Sequence, residues 1–258
     1  MMQLDYASYT DIGGRDENED SMLIDAEEEF LLAAVADGLG GHGGGKAASS
    51  CAIETLSAQK HRLKSQDESE MIAVCAAMNE AVLARQSARV RMKTTLALAL
   101  IDQEELRFLH IGDSRVYLFR GGEIAYQSQD HSVSQLAVLT GAIKPEQIRY
   151  HEDRNKLLRS LGSENGATPE IRLGVEPLLQ GDGILLCTDG FWEYVKENEM
   201  MATLKRAKTA EDWLMNMTRL VKRRAKKGND NNSAITLIAP APAKKPIWRT
   251  TEHESTHH

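Results

Sequence analysis

Apolar residues along this chain come in short runs separated by polar and glycine-bearing breaks, and the runs fall into two groups. LDYASYT (4–10), MLID (22–25) and FLLAAVA (30–36) form the first, and TTLALALI (94–101), ELRFLHI (105–111), RVYLFR (115–120) and EIAYQS (123–128) the second. Runs of this length bounded by turn signals such as GDS and GG predict strands, and antiparallel hairpins are the simplest connection within the second group. Between the groups the period lengthens. Gly45–Gln59 alternates small and apolar residues, and in Ser65–Arg91 the residues Met71, Val74, Cys75, Met78, Val82 and Leu83 fall at helical spacing. Two helices covering one face of a sheet are therefore expected.

After Gln127 the pattern gives way to a polar, irregular insert over 130–166 with one short helical stretch, SVSQLAVLTG. Strand character returns in ILLCT (184–188), Trp213–Lys227 predicts a last helix, and SAITLIAP (233–240) a closing strand. Helices covering antiparallel sheets make an α+β layered fold. Residues 241–258, rich in proline and polar residues, are expected to be a disordered tail.

The stretch 37-DGLGGHGGGKAASS-50 raises a different possibility. Gly40, four residues, then Gly45-Lys46 reproduces most of a nucleotide-binding glycine loop, between an apolar strand and a helix as that motif requires. The loop needs Ser or Thr after the lysine to hold magnesium, and Ala47 stands there. An NTPase is disfavoured on that ground.

Composition narrows the rest. With 31 basic and 38 acidic residues, net −7, the chain has no general attraction for a phosphate backbone, which argues against nucleic acid as a partner. The apolar runs are too short for a membrane helix and the N-terminus has no apolar signal core, so no membrane partner and a cytoplasmic location are expected. Cys51, Cys75 and Cys187 have no C-x-x-C spacing. A cysteine phosphatase would need arginine six residues past its nucleophile, where this chain has Ser57, Ala81 and Glu193.

Aspartates recur at the ends of the apolar runs: Asp37 after FLLAAVA, Asp113 after LHIG, Asp189 after ILLCT and Asp230 before the closing strand, while Glu19-Asp20 precede MLID. Each alone reads as a turn residue. Together, at one edge of a sheet, they would repel one another unless a cation lay among them. Oxygen ligands suit magnesium or manganese, and a pair of such ions can generate a hydroxide near neutral pH for in-line attack on a phosphate ester. Arg15, four residues before Glu19, is placed to bind the phosphate through its planar fork.

The ordered blocks GGRDENEDS (13–21), AVADGLGGH (34–42), KTTLALALI (93–101), HIGDSRVYL (110–118), QDHS (129–132), RSLG (159–162), LLCTDGFW (185–192) and DNNSAI (230–235) resemble the metal-dependent serine/threonine phosphatases of the PPM (type 2C) family, in their compact bacterial form. The resemblance covers residues 4–240. It implies a four-layer α/β/β/α sandwich as one domain over 1–240, with 130–160 as a mobile flap, and a binuclear Mn²⁺ or Mg²⁺ centre in the channel between the sheets. By position, Asp37 would bridge both ions, Glu19 and the Gly38 carbonyl would serve one, and Asp189 and Asp230 the other. Asp20 would orient metal-bound waters, Asp113 with Asp189 would form the third-metal site of the bacterial members, and Arg15 would hold the substrate phosphate. The glycines after Asp37 then serve to turn the backbone past the metals, and the likeness to a nucleotide loop is coincidental.

The implied partners are phosphorylated proteins and a cognate serine/threonine kinase, for a monomeric enzyme. Catalytic inactivity, with the same fold kept as a binding scaffold, is the alternative; the intact aspartates argue against it. His42 offers a proton donor to the leaving alkoxide. It reads equally as a surface-loop histidine, since some relatives carry histidine directly after Asp-Gly, where this chain has Leu39. Two positions depart from the resemblance: Lys46, where glutamate is common, and Lys93, where glycine is usual. His131 is expected to cap or pack the flap helix, and the basic run 222–227 to be a solvated helix end.

Overall fold

The structure, a computed structural model, describes residues 4–28, 30–40, 43–65, 67–87, 90–102, 105–164, 168–175 and 177–239. His42 and the tail 241–258 lie outside the described residues. Strands β1 (Asp5–Asp11), β2 (Ser21–Ala26), β3 (Phe30–Ala36) and β4 (Gly38–Leu39) are followed by helices α1 (Gly44–Gln59) and α2 (Glu68–Arg85). The short β5 (Lys93–Thr94) leads into β6 (Leu96–Asp102), β7 (Glu105–Ile111), β8 (Arg115–Arg120) and β9 (Glu123–Gln127). Then come α3 (Val133–Leu139), β10 (Glu170–Val175), β11 (Gly183–Cys187), α4 (Asp189–Trp192), α5 (Glu197–Leu204), α6 (Ala210–Arg224) and β12 (Asn232–Ile238).

Two five-stranded antiparallel sheets result, ordered β1-β12-β11-β8-β9 and β10-β7-β6-β3-β2. The expected four-layer sandwich is found. Its inner layer is lined by Ala33, Val35, Ala97 and Ala99 of one sheet against Val116, Leu118, Ile184, Leu186, Ile235 and Leu237 of the other. Alternate residues of the same strands, Leu32, Ala34, Leu98 and Leu100, face Leu56, Met71, Val74 and Met78 on α1 and α2. All of β3 is buried for this reason: both of its faces are covered, so its sequence is continuously apolar instead of alternating. On the far side Tyr117, Phe119, Leu185 and Cys187 pack against Trp213, Met217 and Val221 of α6.

The helix ends follow local chemistry. Asp67 caps α2 by accepting from Ser69 N–H at 2.8 Å, and Ser132 caps α3 by accepting from Gln135 N–H at 3.2 Å. Helix α2 holds all the residues of the helical spacing but stops short of Arg91, where Gln86 turns away and donates to the carbonyls of Met92 and Gly162. At the end of α6, Arg224 is held by both carboxylate oxygens of Glu199 and so is fixed, while Lys222 lies 5.7 Å above the Tyr9 ring.

One expectation needs correction. β6–β7 and β8–β9 are hairpins, but β7 and β8 belong to different sheets, and Gly112-Asp113-Ser114 carries the chain between them. Gly112 has a φ of +99°, and a Cβ there would sit 2.6 Å from Thr95 Cγ2. The crossing brings Asp113 into the field of Asp37 and Asp189. Gly112→Ala combines a left-handed backbone with a steric clash and is expected to lower stability by about 2–4 kcal/mol. Denaturant unfolding of the purified variant measures it; a loss below about 1 kcal/mol would show that the crossing relaxes.

Candidate metal centre

The acidic residues meet where β3 and β11 end and the crossing loop begins. Asp37 follows β3, and its backbone is clamped by threonines: its N–H donates to Thr95 Oγ1 at 2.9 Å, and its carbonyl accepts from Thr95 N–H at 2.9 Å and Thr94 Oγ1 at 2.8 Å. Asp189 opens α4, immediately after β11. Gly190 allows this approach, since a Cβ there would lie 2.0 Å from the Asn231 carbonyl. Asp113 is anchored through its carbonyl, which accepts from Trp192 Nε1 at 2.9 Å.

Glu19 and Asp20 come from the loop between β1 and β2. The Glu19 N–H donates to Asn231 Oδ1 at 2.8 Å, and Asn231 Nδ2 also donates to the carbonyls of Ile12 and Glu17, so one asparagine fixes the whole loop. The Glu19 carboxylate rests against the start of α1. Burial pushes its pKa up, opposed by the amides of Lys46 and Gly45. A Cβ on Gly45 would lie 2.4 Å from Glu19 Oε1, and one on Gly38 would lie 2.0 Å from the Gly45 carbonyl. These glycines therefore permit contact between backbone and carboxylate.

Asp20 is only 4% exposed. Thr188 Oγ1 donates to its Oδ2 at 3.0 Å, while its Oδ1 is buried without a partner. Asp189 Oδ1 is likewise buried and unpartnered. Burial raises Asp20 to about 6 and Asp113 to about 7. Asp37 and Asp189 are driven well above the carboxylate range, first by burial and then by their aspartate neighbours: Asp189, Asp20, Asp113 and Asp230 act on Asp37, and Asp113 and Asp230 are among those acting on Asp189. The fold thus gathers all five aspartates into one field, and Glu19 feels Asp230 as well.

Two orphaned buried oxygens inside a cluster of like charge fit a hard cation held through oxygen. Among the described residues, however, no three of these carboxylates converge within 4.8 Å. The carboxylates are thus spread more widely than a single ion spans, and Mg²⁺ and Mn²⁺, which keep several waters, would complete their shells with water.

Arg15 and Asp230, expected to do different work, pair with each other, Nη2 to Oδ2 at 2.7 Å, and both are partly exposed. Four of the five guanidinium N–H groups stay clear of that contact.

A second cluster escaped the sequence reading. His110, His131 and Glu170 do converge within 4.8 Å, and the two imidazoles stack with centroids 4.7 Å apart. Hydrogen bonds argue against a metal there. His110 Nε2 faces the Gln129 carbonyl at 2.8 Å and so carries its proton, whereas His131 Nδ1 accepts from Gly112 N–H at 3.2 Å. His131 has then spent its one lone pair, and its Nε2 is a donor that cannot ligate. Burial and His110 push His131 down to about 3, keeping it neutral. The residue packs the base of the insert, while the capping falls to Ser132.

The raised aspartates have a consequence for stability. Asp20 and Asp113 bind protons more tightly folded than at the ordinary value of 3.8, so stability that is complete below about pH 4 is lost as pH rises through about 6 to 7. A cation among the carboxylates removes that loss. The difference in Tm between manganese-loaded and chelated protein should widen from about pH 5 to about pH 7.5. A pH-independent difference by scanning calorimetry would count against the cluster as the cation site.

Comparison with known proteins agrees with this architecture. The family model for protein phosphatase 2C matches residues 11–228. The serine/threonine protein phosphatase PstP of Mycobacterium tuberculosis is 31% identical over 242 residues, covering 91% of this chain and 44% of its own length. The chain thus spans less than half of that relative. The serine/threonine phosphatase stp of Listeria monocytogenes is 32% identical over 210 residues, 78% of this chain and 79% of its own. A solved structure of the PstP catalytic domain in complex with two manganese ions superposes with a TM-score of 0.77 at 31% identity, covering 92% of this chain and 99% of that one. With the family model matching most of its length and its sandwich shared with these structures, this chain belongs to the protein phosphatase 2C family.

Proposed function

We propose that this chain hydrolyses phosphoserine and phosphothreonine in proteins at a binuclear Mn²⁺ or Mg²⁺ centre, opposing a bacterial serine/threonine kinase in the cytoplasm. The observation that carries the reading is the gathering of five aspartates around two orphaned buried oxygens. A binding scaffold has no use for so much uncompensated charge. Family membership and the two manganese ions of the PstP complex support the same conclusion. No helix among the described residues is long and apolar enough to cross a membrane.

Asp37, Glu19, the Gly38 carbonyl, Asp189 and Asp230 would hold the two ions, and Asp113 with Asp189 a third. When bound, such ions lower the pKa of a coordinated water and offset charge on the phosphoryl oxygens. The chain's own groups do the rest. Asp20 has Oδ2 committed to Thr188 and keeps Oδ1 to fix the orientation of a water. Arg15, partly exposed beside Asp230, offers its remaining N–H groups to the substrate phosphate. Thr94 and Thr95 hold the Asp37 backbone so that its carboxylate stays in place despite repulsion. His42 remains the proposed proton donor.

Phosphopeptide hydrolysis should vanish with excess EDTA and return with Mn²⁺; full activity in chelator would exclude this chemistry. Asp37→Asn should abolish kcat, whereas Arg15→Ala should mainly raise KM, by the equivalent of about 1.5–3 kcal/mol. Steady-state kinetics on a phosphothreonine peptide at saturating Mn²⁺ separate the two effects. Near-normal kcat in Asp37→Asn would overturn the metal assignment, and an unchanged kcat/KM in Arg15→Ala would move the phosphate site elsewhere. Asp113→Ala should slow turnover and remove one Mn²⁺ from the binding stoichiometry; loss of every ion would show that Asp113 belongs to the primary pair.

A further inference from the structure

Beside the aspartate cluster, between β1, β2 and α1, lies an open cavity of about 410 Å³ whose wall includes Asn18, Asp20, Ser21, Lys46, Ser50 and Glu54. Its volume is within the range of ligand-binding clefts. Of its wall residues, only Asp20 has a role proposed above.

Its charge is set by Lys46. The ammonium donates to the Asp20 carbonyl at 2.8 Å and to Ser21 Oγ at 3.3 Å, and among the described residues no carboxylate oxygen lies within 4.0 Å of it. An ammonium has three N–H donors, so one remains, together with a charge that no carboxylate contacts directly. Around it stand the hydroxyls of Ser21 and Ser50, 3.3 Å apart, either of which can donate. The acids of the wall do not form an ion pair with the lysine, although the Asp20 carboxylate feels its charge from a distance. Asp20 shows Lys46 its carbonyl and turns its carboxylate to Thr188, and Glu54 is engaged by Arg85 at 3.2 Å.

The cavity wall and the proposed phosphate-binding residue share one loop. Asn18 and Asp20 belong to the loop that also carries Arg15 and Glu19, and this loop is fixed by Asn231. Arg15 and Asn18 are three residues apart and so lie within about 11 Å of one another, a distance that the residues flanking a phosphoresidue held at Arg15 can span.

We propose that the Lys46 cavity is a specificity subsite that receives an anionic side chain of the substrate, a carboxylate or a second phosphate, a few residues from the phosphoresidue being hydrolysed. The inference rests on the phosphatase reading above. Lys46 takes no part in the hydrolysis; it selects which phosphoproteins bind well.

The test is a panel of phosphothreonine peptides in which each flanking position in turn carries Glu, a phosphonate mimic of phosphoserine, Ala or Lys, assayed by phosphate release in Mn²⁺. For the wild-type protein, at one position or a short run of positions, the anionic peptides should exceed the Lys peptide about five- to tenfold in kcat/KM, expressed in KM. The ratio should shrink as salt is raised. Lys46→Met should bring the ratio to about one and Lys46→Glu should invert it, whereas a purely structural lysine would lower all peptides together and leave the ratio unchanged. Comparing the Glu and phosphonate arms tells which anion is preferred. A wild-type ratio near one at every position, or one unaffected by salt and by Lys46→Glu, overturns the subsite while leaving the phosphatase reading intact. If the variants do not fold, the wild-type ratio and its salt dependence decide alone. Absence of Mn²⁺-dependent turnover of every peptide would instead sink the phosphatase reading and the subsite with it.

Discussion

Mutual repulsion among carboxylates is the constraint around which this molecule is organised. Asp20, Asp113 and Asp189 are almost fully buried, and Asp37 and Asp230 are close enough to act on them. In water such groups would separate, so the chain must hold them by other means. It does so through the backbone. Asp37 is pinned by two threonines, Asp113 by the Trp192 indole, Glu19 by Asn231, and Asp189 by its place at the start of a helix whose flank packs into the core. For Asp37, Asp113 and Asp189 these restraints do not draw on the carboxylate oxygens, whereas the Glu19 carboxylate also meets the amides of Gly45 and Lys46. Restraint of the main chain combined with freedom of the side-chain oxygens is what a site for hard ions requires.

The glycines beside the cluster follow from the same requirement. Gly38, Gly45 and Gly190 each lie so close to another backbone or to Glu19 that a single Cβ would penetrate a neighbour. A nucleotide loop uses glycine for an equivalent purpose, close approach of backbone to phosphate, and this is why residues 37–46 can be mistaken for one. The object approached differs: here α1 comes up against the Glu19 carboxylate of its own chain.

The strands were legible because burial on one or both faces writes itself into local composition, as in FLLAAVA and TTLALALI. The site aspartates were legible because they stand at strand ends, and eight ordered blocks suggested the roles proposed for them. What local sequence could not show is which sheet a strand joins. Gly112-Asp113-Ser114 has the composition of a hairpin turn, yet it crosses from one sheet to the other, a choice made by partners distant in sequence, Thr95 and the stacked His131. β10 was missed because EIRLGV mixes charged and apolar residues on a strand at the sheet edge, and α5 because eight residues are too few to display a period. The Arg15–Asp230 pair joins residues 215 apart in the chain, and no spacing rule reaches that far.

How the insert is tied to the site follows from one buried cation. Arg115, 3% exposed, forms paired hydrogen bonds of 2.7 Å to both oxygens of Asp130, where the insert begins, and its guanidinium lies 3.5 Å above the Trp192 ring. The same indole donates to the Asp113 carbonyl. Arg149, from within the insert, reaches Glu197 at the start of α5, as does Arg115 at longer range. A buried ion pair contributes little net stability, because desolvation offsets most of its attraction, but losing one partner is costly. Its effect here is positional. The start of the insert, the indole and the loop bearing Asp113 are held in one register by a cation that satisfies all three, so displacing the insert at Asp130 would leave Arg115 buried without its carboxylate beside the residue that carries Asp113. The base of the insert is therefore fixed by electrostatics, and any movement of the insert must occur beyond it, in residues that do not share this cation.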